Sequence, residues 1–577
     1  MPDPDASAGA ATLVELLRHR ACAQPDDRAY VLLSDRGAEE AAITFAALEN
    51  TAMALARRIA AVAAPGDRAL LLCPTGIDFL AALFGCALAG VIAVPLRLPR
   101  RLSTRDASAA IVADCAPRLA LSLRSLIDDG RGDLVGRPAA HRLAWLAADA
   151  AEQAPSAELP PPPPAPDHIA LLQYTSGSTA SPKGVMVSHA NLLANLAMIK
   201  AAFGNTRQST IVSWVPLYHD MGLVINVLQS LYVGSLCVLL PPAAFMQRPL
   251  LWLRAISDFR AEVATSPDFG FDLCVERYRP EQMHGVDLSS WRLALNGAEP
   301  VRAATLRRFA KSFSPHGFAP AALYPAYGMA EATVLVAAGR RGTGPVLRQL
   351  SRAGLQRGLV LTPRDEADQQ TAVGCGRELA GERIAIVDPD SRCRLAADEV
   401  GEIWIAGPNV ARGYWQNPAA TEEAFGAEIA GEAEARWLRS GDLGFLDADG
   451  ELFVTGRRKE VVIIRGANHY PQDIEDTVER AHPALRRHGG AAFAIGGEGG
   501  DAAERLVVVQ EVERTQRHRI APDEIIASIR EAVVREHEIA PFDIVLLRPG
   551  TLPKTTSGKI QRGLARQLWL AGTLQRL

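Results

Sequence analysis

Between an apolar run, Ile169-Ala-Leu-Leu172, and a helix-like run, Asn191-Leu-Leu-Ala-Asn-Leu-Ala-Met198, the chain carries Thr175-Ser-Gly-Ser-Thr-Ala-Ser-Pro-Lys-Gly-Val185. Hydroxyls and glycines are crowded together and followed by one lysine. Glycines let backbone N–H groups close on phosphate oxygens, Ser and Thr add hydroxyl donors, and Lys183 adds charge. A flexible, donor-rich loop leaving a strand is a phosphate cradle. It is not a Walker P-loop, because Lys183 is followed by Gly184 and Val185 where that motif needs Ser or Thr. An isolated Gly/Ser pair reads as a surface turn; the whole string does not.

The pattern around this loop is α/β. Thr12 to Cys22 and Phe45 to Ala61 read as amphipathic helices, and Arg68-Ala-Leu-Leu-Leu72 as a strand. Phe79 to Leu96 carries no charge and could span a membrane on length alone. Gly85, Gly90 and Pro95 favour instead a buried helix to Ala89, a stop at Gly90 and a buried strand Val91–Val94. Strands alternating with helices indicate a doubly wound sheet. A proline-rich spacer runs from Ala154 to Pro166. The alternation resumes from Thr210 to about Ala338. Residues 339–371 are polar, rich in Gly and Arg, and weakly periodic. β-like segments follow at Arg383–Val387, Glu402–Ala406 and Glu451–Val454, then a charged break, Gly456-Arg-Arg-Lys-Glu460, and a small α+β unit.

Over 577 residues a net charge of −4 gives no reason to expect a nucleic-acid partner. Eight scattered cysteines without a C-x-x-C pair indicate reduced, mostly buried thiols in a cytoplasmic protein, with no zinc site. The acidic, polar N-terminus is not a signal peptide.

Further strings follow the phosphate loop in order: Trp214-Val-Pro-Leu-Tyr-His-Asp-Met-Gly222, Asn296-Gly-Ala-Glu-Pro300, Tyr324-Pro-Ala-Tyr-Gly-Met-Ala-Glu-Ala-Thr333, Ser440-Gly-Asp-Leu-Gly444, Arg465-Gly-Ala-Asn-His-Tyr-Pro-Gln-Asp-Ile-Glu475 and Pro553-Lys-Thr-Thr-Ser-Gly-Lys559. Each alone has a bland reading as a turn or a solvated lysine; their joint order does not. Together they resemble the adenylate-forming superfamily of acyl-CoA synthetases, peptide-synthetase adenylation domains and luciferases. Within it, Tyr218-His-Asp-Met-Gly-Leu223, Asn468–Glu475, Ser266-Pro-Asp-Phe-Gly-Phe-Asp-Leu-Cys274 and the extra region 339–371 resemble the fatty acyl-AMP ligases. Gly270 departs from that pattern, in which Ala is usual, and so bears on acyl-pocket shape.

The resemblance implies a large N-terminal domain (1–456) of doubly wound mixed sheets plus a β-rich subdomain, a hinge at 457–460 pivoting on Lys459, and a small mobile C-terminal domain (461–577). It implies that a carboxylate attacks the α-phosphate of ATP, with Mg²⁺ as cofactor. Thr175, Ser176, Gly177, Ser178, Thr179 and Lys183 would wrap the β- and γ-phosphates. Glu331 would hold Mg²⁺, and Thr333 or its neighbours, with Gly328 and Met329, would contact the nucleotide. Gly297, Ala298 and Glu299 would line the adenine slot, with Tyr327 stacked on the base. Asp442 would accept the ribose hydroxyls, and Arg457 would assist at ribose or phosphate. Lys559 would neutralise charge in the transition state, and His219 would sit at the mouth of the acyl pocket, unless it is a structural histidine.

Three functions stand at this level. The leading one is a fatty acyl-AMP ligase that passes its acyl group to the phosphopantetheine thiol of an acyl carrier protein on another polypeptide. The others are a fatty acyl-CoA synthetase and a catalytically silent lipid-binding or scaffolding module. In the resembling ligases the extra region restrains the small domain and disfavours CoA; Val346, Leu347, Leu350 and Leu355 are its candidate packing residues.

Overall fold

The structure, a computed structural model, describes residues 9–98, 108–129, 143–149, 164–175, 182–432, 436–496, 504–516, 521–555 and 558–577. Most of the proline-rich spacer and the loop residues Ser176, Gly177, Ser178 and Thr179 lie outside them, and of Thr175 only the backbone is described.

Two sheets with parallel centres form the large part of the molecule. In the first, strands Arg68–Leu71, Ile92–Pro95, Leu119–Ser122, Ala144–Ala147 and Ile169–Thr175 run parallel, and Lys183–Ser188 closes one edge antiparallel. In the second, Leu323–Gly328, Leu293–Asn296, Val263–Ser266, Ile211–Ser213, Cys237–Leu239 and Arg28–Leu33 are parallel, with antiparallel strands at both ends. Helices Leu13–Ala23, Phe45–Ala60, Ile77–Leu88 and His189–Phe203 share one core with both sheets. Helix Ile77–Leu88 is buried from Phe79 to Leu88, as a stretch apolar on every face must be. Gly90 ends it at φ 69° and strand Ile92–Pro95 follows, so the apolar stretch is core. Among the described residues no helix is long and apolar enough to cross a membrane.

Strands Arg383–Val387, Gly401–Ala406, Leu438–Leu446 and Leu452–Arg457 form an antiparallel β-rich unit. Residues beyond 460 build a three-stranded sheet, Leu485–Ile495, Arg505–Val512 and Asp543–Leu547, with helices Pro471–Ala481, Pro522–His537 and Arg562–Leu570 and cores of their own. All eight cysteines are free, six of them buried.

Residues 339–371, weakly periodic in sequence, are ordered. Leu347–Ser351 pairs antiparallel with Gln369–Val373, and a helical turn spans Arg352–Leu355. Leu350 and Leu355 are buried with Val360, Phe445, Phe453 and Tyr470, the last from beyond the charged break. Val346 and Leu347 instead face solvent (45% and 39% exposed), which corrects their selection as packing residues. The strand's inner positions are Leu350 and Ser351.

Candidate active site

The phosphate loop joins the hairpin strands Ile169–Thr175 and Lys183–Ser188. Gly184 lacks a side chain because a Cβ there would lie 2.8 Å from the Tyr174 ring. The ammonium of Lys183 sits 4.6 Å above the Tyr414 ring. Tyr414 also donates from its hydroxyl to Glu331 Oε1 at 3.0 Å. Burial raises the Glu331 carboxyl above the usual range, against that bond and the charge of Arg457. Tyr414, unnoticed in the sequence, thus links the loop lysine to the glutamate of the Tyr-Gly-Met-Ala-Glu string.

That string leaves strand Leu323–Gly328 and turns sharply at Ala330–Ala332. Any Cβ on Gly328 would fall 1.7 Å from the Val334 carbonyl, so only glycine fits. Thr333 follows at φ 68°, in a region that β-branched residues rarely occupy. Its buried hydroxyl donates to the Asn409 carbonyl at 2.6 Å, so the side chain is anchored in the protein instead of lining the cleft.

The Tyr327 hydroxyl donates to Asp442 Oδ2 at 2.8 Å, and Arg457 Nε lies 3.1 Å from Asp442 Oδ1. Antiparallel pairing sets Asp442 directly opposite Arg457. The Asp442 charge is the main cause that raises Arg457 above its ordinary value. Glu402 supports the turn before Asp442, accepting from Gly441 N at 3.2 Å and from Arg439. Nearby, strand Leu293–Asn296 runs into Gly297, Ala298 at φ 65°, and Glu299, whose Oε1 accepts from Phe269 N at 2.7 Å.

His219 and Asp220 lead into a π-helix, Met221–Leu228, a rare form that marks functional sites. A Cβ on Gly222 would lie 2.3 Å from the Pro216 carbonyl. His219 Nδ1 is 2.7 Å from Asp220 Oδ1. Burial works to raise Asp220, but His219 and then Lys559 outweigh it and hold the carboxyl below its ordinary value.

Lys559 arrives from the small unit. Burial depresses its ammonium, while Asp220 is the strongest opposing charge and Glu299 and Asp442 also face it. Gly558, at φ 90°, approaches so closely that a Cβ would lie 3.1 Å from the Phe269 ring. The same cleft is lined by Lys183, Gly297, Ala298, Glu299, Tyr327, Gly328, Met329, Glu331, His219, Asp220, Asp442, Arg457 and Lys559. Lys459 also borders it, exposed with Arg458 on the single turn Arg458–Glu460. Asp220, Phe269 and Tyr414 were not singled out by sequence. Asp220 and Phe269 lay inside quoted strings without a role; Tyr414 had no signal beyond Gly413-Tyr-Trp415.

A family model described as AMP-binding enzyme matches residues 17–415, and one described as Disco-interacting protein 2-like, AMP domain, matches residues 459–577. A medium-chain-fatty-acid–[acyl-carrier-protein] ligase of Moorena producens is 42% identical, covering 98% of this chain and 96% of its own length. A 4-hydroxyphenylalkanoate adenylyltransferase of Mycobacterium tuberculosis is 35% identical over 98% of this chain and 93% of its own. The crystal structure of the L. pneumophila fatty acyl-adenylate ligase in complex with acyl adenylate and pyrophosphate is 37% identical, with TM-score 0.75 over 98% of this chain and 97% of its own. With a family model spanning more than half its length and full-length relatives of this identity, the chain belongs to the AMP-binding enzyme family, and it is a ligase of the fatty acyl-AMP type.

Proposed function

We propose that the chain activates a fatty acid with ATP to acyl-AMP, releasing pyrophosphate, and then passes the acyl group to the phosphopantetheine thiol of an acyl carrier protein. The observation that carries this reading is the arrival of Lys559, from the small unit, in the cleft lined by Asp220, Glu299, Asp442 and Glu331. Two anions, a carboxylate and a triphosphate, have to meet there, so catalysis is positioning and charge neutralisation and needs no protein nucleophile.

In this reading Lys559 lies against charge that builds on the α-phosphate as the P–O bond to pyrophosphate breaks. Lys183 and the loop before it take the β- and γ-phosphates. Asp442 takes the ribose hydroxyls, held ready by Tyr327 and Arg457, while Gly297–Glu299 and the Tyr327 ring border the base. Glu331, with Oε1 fixed by Tyr414, fits Mg²⁺, which is commonly held by one or two carboxylates plus substrate phosphates. The ion would supply Lewis-acid neutralisation of the phosphates. Thr333 serves by position, its hydroxyl being committed to Asn409. His219 flanks the acyl carboxylate, and Lys459 is the pivot for the second half-reaction. Reduced cysteines suit a cytoplasmic setting.

The test is pyrophosphate release across fatty acids of graded length, followed by acyl transfer to a phosphopantetheinylated carrier and, separately, to CoA. Fatty-acid-dependent release with carrier loading exceeding acyl-CoA formation is expected. Preferred transfer to CoA would make it an acyl-CoA synthetase, and no release with any chain would leave a silent module.

A further inference from the structure

The segment Gly407–Trp415 is a strap across the back of the phosphate end. Trp415 N donates to Gly184 O at 2.7 Å, and Arg412 N to Met186 O at 2.9 Å, both on the strand that begins at Lys183. Ala411 N donates to Glu331 O at 2.9 Å, and Asn409 O receives the Thr333 hydroxyl. One strap therefore fixes the lysine and the glutamate that face each other across Tyr414.

What fixes the strap at its head is a fully buried pair. The Asn409 amide donates to Glu382 Oε2, and more weakly to Ala332 O at 3.4 Å. Asn409 and Glu382 are 0% and 4% exposed. Gly407 makes room, since a Cβ there would lie 2.6 Å from Asn409 Oδ1 and 3.2 Å from Glu382 Cα. Among the described residues no cation pairs with Glu382, and a buried, unpaired carboxyl is costly unless it is protonated. Thr333 is what needs holding, because a β-branched residue at φ 68° and ψ −63° persists only where its surroundings over-determine it.

We infer, resting on the phosphate-end reading above, that Glu382 acts through Asn409 as a positioning residue, clamping the strap on Thr333 so that the Glu331 turn stays seated. Two oxygens of the pair, Glu382 Oε1 and Asn409 Oδ1, are buried without a partner. A proton on the carboxyl turns Glu382 Oε1 from an unsatisfied acceptor into a donor. Burial pushes Glu382 up to about 8, with Glu378, the charged group that faces it, adding to the rise and the Asn409 bond and the Leu379 turn opposing it. The clamp is thus a neutral acid at neutral pH; ionisation keeps the Asn409 N–H bond but places an uncompensated charge in a buried site beside Glu378, and that cost is what loosens the packing around it.

The experiment is the pH profile of acyl-AMP formation for the whole chain and for Glu382→Gln, Glu382→Ala and Glu331→Ala, with melting curves and fatty-acid KM for each. Loss of a group that orients reacting groups costs on the order of 10- to 100-fold. Glu382→Ala is expected to lower kcat by that factor with fatty-acid KM nearly unchanged. Glu382→Gln, a neutral isostere, should recover most of kcat and lose the alkaline fall near pH 8, leaving only any fall at higher pH. Should Glu382→Ala fail to fold, the Glu382→Gln profile decides alone. Equal alkaline inflections in the parent and Glu382→Gln overturn the clamp, as does unchanged kcat in a folded Glu382→Ala. If Glu331→Ala is itself silent, the phosphate-end reading falls and the clamp with it. If Glu331→Ala is inactive while both Glu382 variants match the parent, the clamp alone is wrong.

Discussion

The hydroxyl of Tyr327 donates to Asp442 Oδ2 at 2.8 Å, joining the end of a parallel strand in one sheet to an antiparallel strand in another. Arg457 holds the other carboxylate oxygen. The carboxylate is therefore oriented by the protein itself, and in the proposed ribose role its interaction would not change as the reaction proceeds. Asp442→Ala should weaken ATP binding more than it slows turnover, which is the mark of uniform binding. Tyr327→Phe should weaken it less, since one hydrogen bond is worth about 0.5–1.5 kcal/mol. Nucleotide titration beside single-turnover rates separates the two effects; unchanged affinity with lower turnover in Asp442→Ala would remove it from the ribose site.

Lys559 should behave oppositely. If, as proposed, its charge acts mainly where charge develops, Lys559→Ala should lower acyl-AMP formation by roughly 3–4 kcal/mol in barrier while ATP binding and melting stay near parental. Gly558→Val tests the seat of the same residue. At φ 90° and against the Phe269 ring there is no place for a branched side chain, so adenylation should fall without loss of the small unit's fold. Near-normal pyrophosphate release in either variant speaks against this orientation of the small unit as the adenylating one.

That orientation is held in part by a titratable contact. His488 of the small unit lies 2.9 Å from Asp272 of the large part, which also binds Arg308. Burial alone would lower His488, but the Asp272 bond raises it above its ordinary value. Burial would raise Asp272, yet His488 and Arg308 hold it down at about 2. Asp272 is therefore ionised at any working pH, and the charged pair is present below the raised His488 value and fades as pH rises through it. A hydrogen bond to a charged group contributes about 1.5–3 kcal/mol. His488→Gln should lower adenylation at pH 6 and converge on the parent at high pH. A constant ratio across pH would mean that the contact is not felt.

The framework was legible because its signals are local. The apolar run through Phe79–Leu88 and the stop at Gly90 declare a buried helix, and the short continuous apolar run Ala69–Leu72 reads as a buried strand. The site was legible as strings, each carrying a glycine whose necessity is seen only in three dimensions, as at Gly328 and Gly222. The partners between strings were not legible. Tyr414 meets Glu331, and Asn409 meets Thr333 and Glu382, across separations that no local pattern records. Residues 339–371 read as irregular because their hairpin belongs to a two-stranded sheet with outward-facing positions. Leu350, Leu355 and Val360 reach their common cluster without a shared period.

That cluster carries the last prediction. Leu350, Leu355 and Val360 pack with Phe445 and Phe453 on one side and Tyr470 on the other. Polar ties accompany it: Asn468 N donates to Gln356 O at 2.7 Å, and Arg352 Nη1 to Glu536 O at 2.7 Å. Residues 339–371 thus grip the small unit in the orientation that presents Lys559. A contact made in one orientation and lost in another biases their equilibrium by its own free energy. Removing the whole segment would strip Phe445 and Phe453 as well, so point changes are the cleaner probe. Arg352→Ala with Leu355→Ala should loosen the grip, the leucine alone being worth about 2 kcal/mol or more where it is fully packed. The freed unit should then visit the transfer orientation more often, and acyl-CoA formation should rise relative to carrier loading. The measurement is the ratio of the two products from one pool of acyl-AMP, beside a melting curve. If the double variant stays folded, adenylates normally and keeps the parental ratio, these residues do not choose the acceptor.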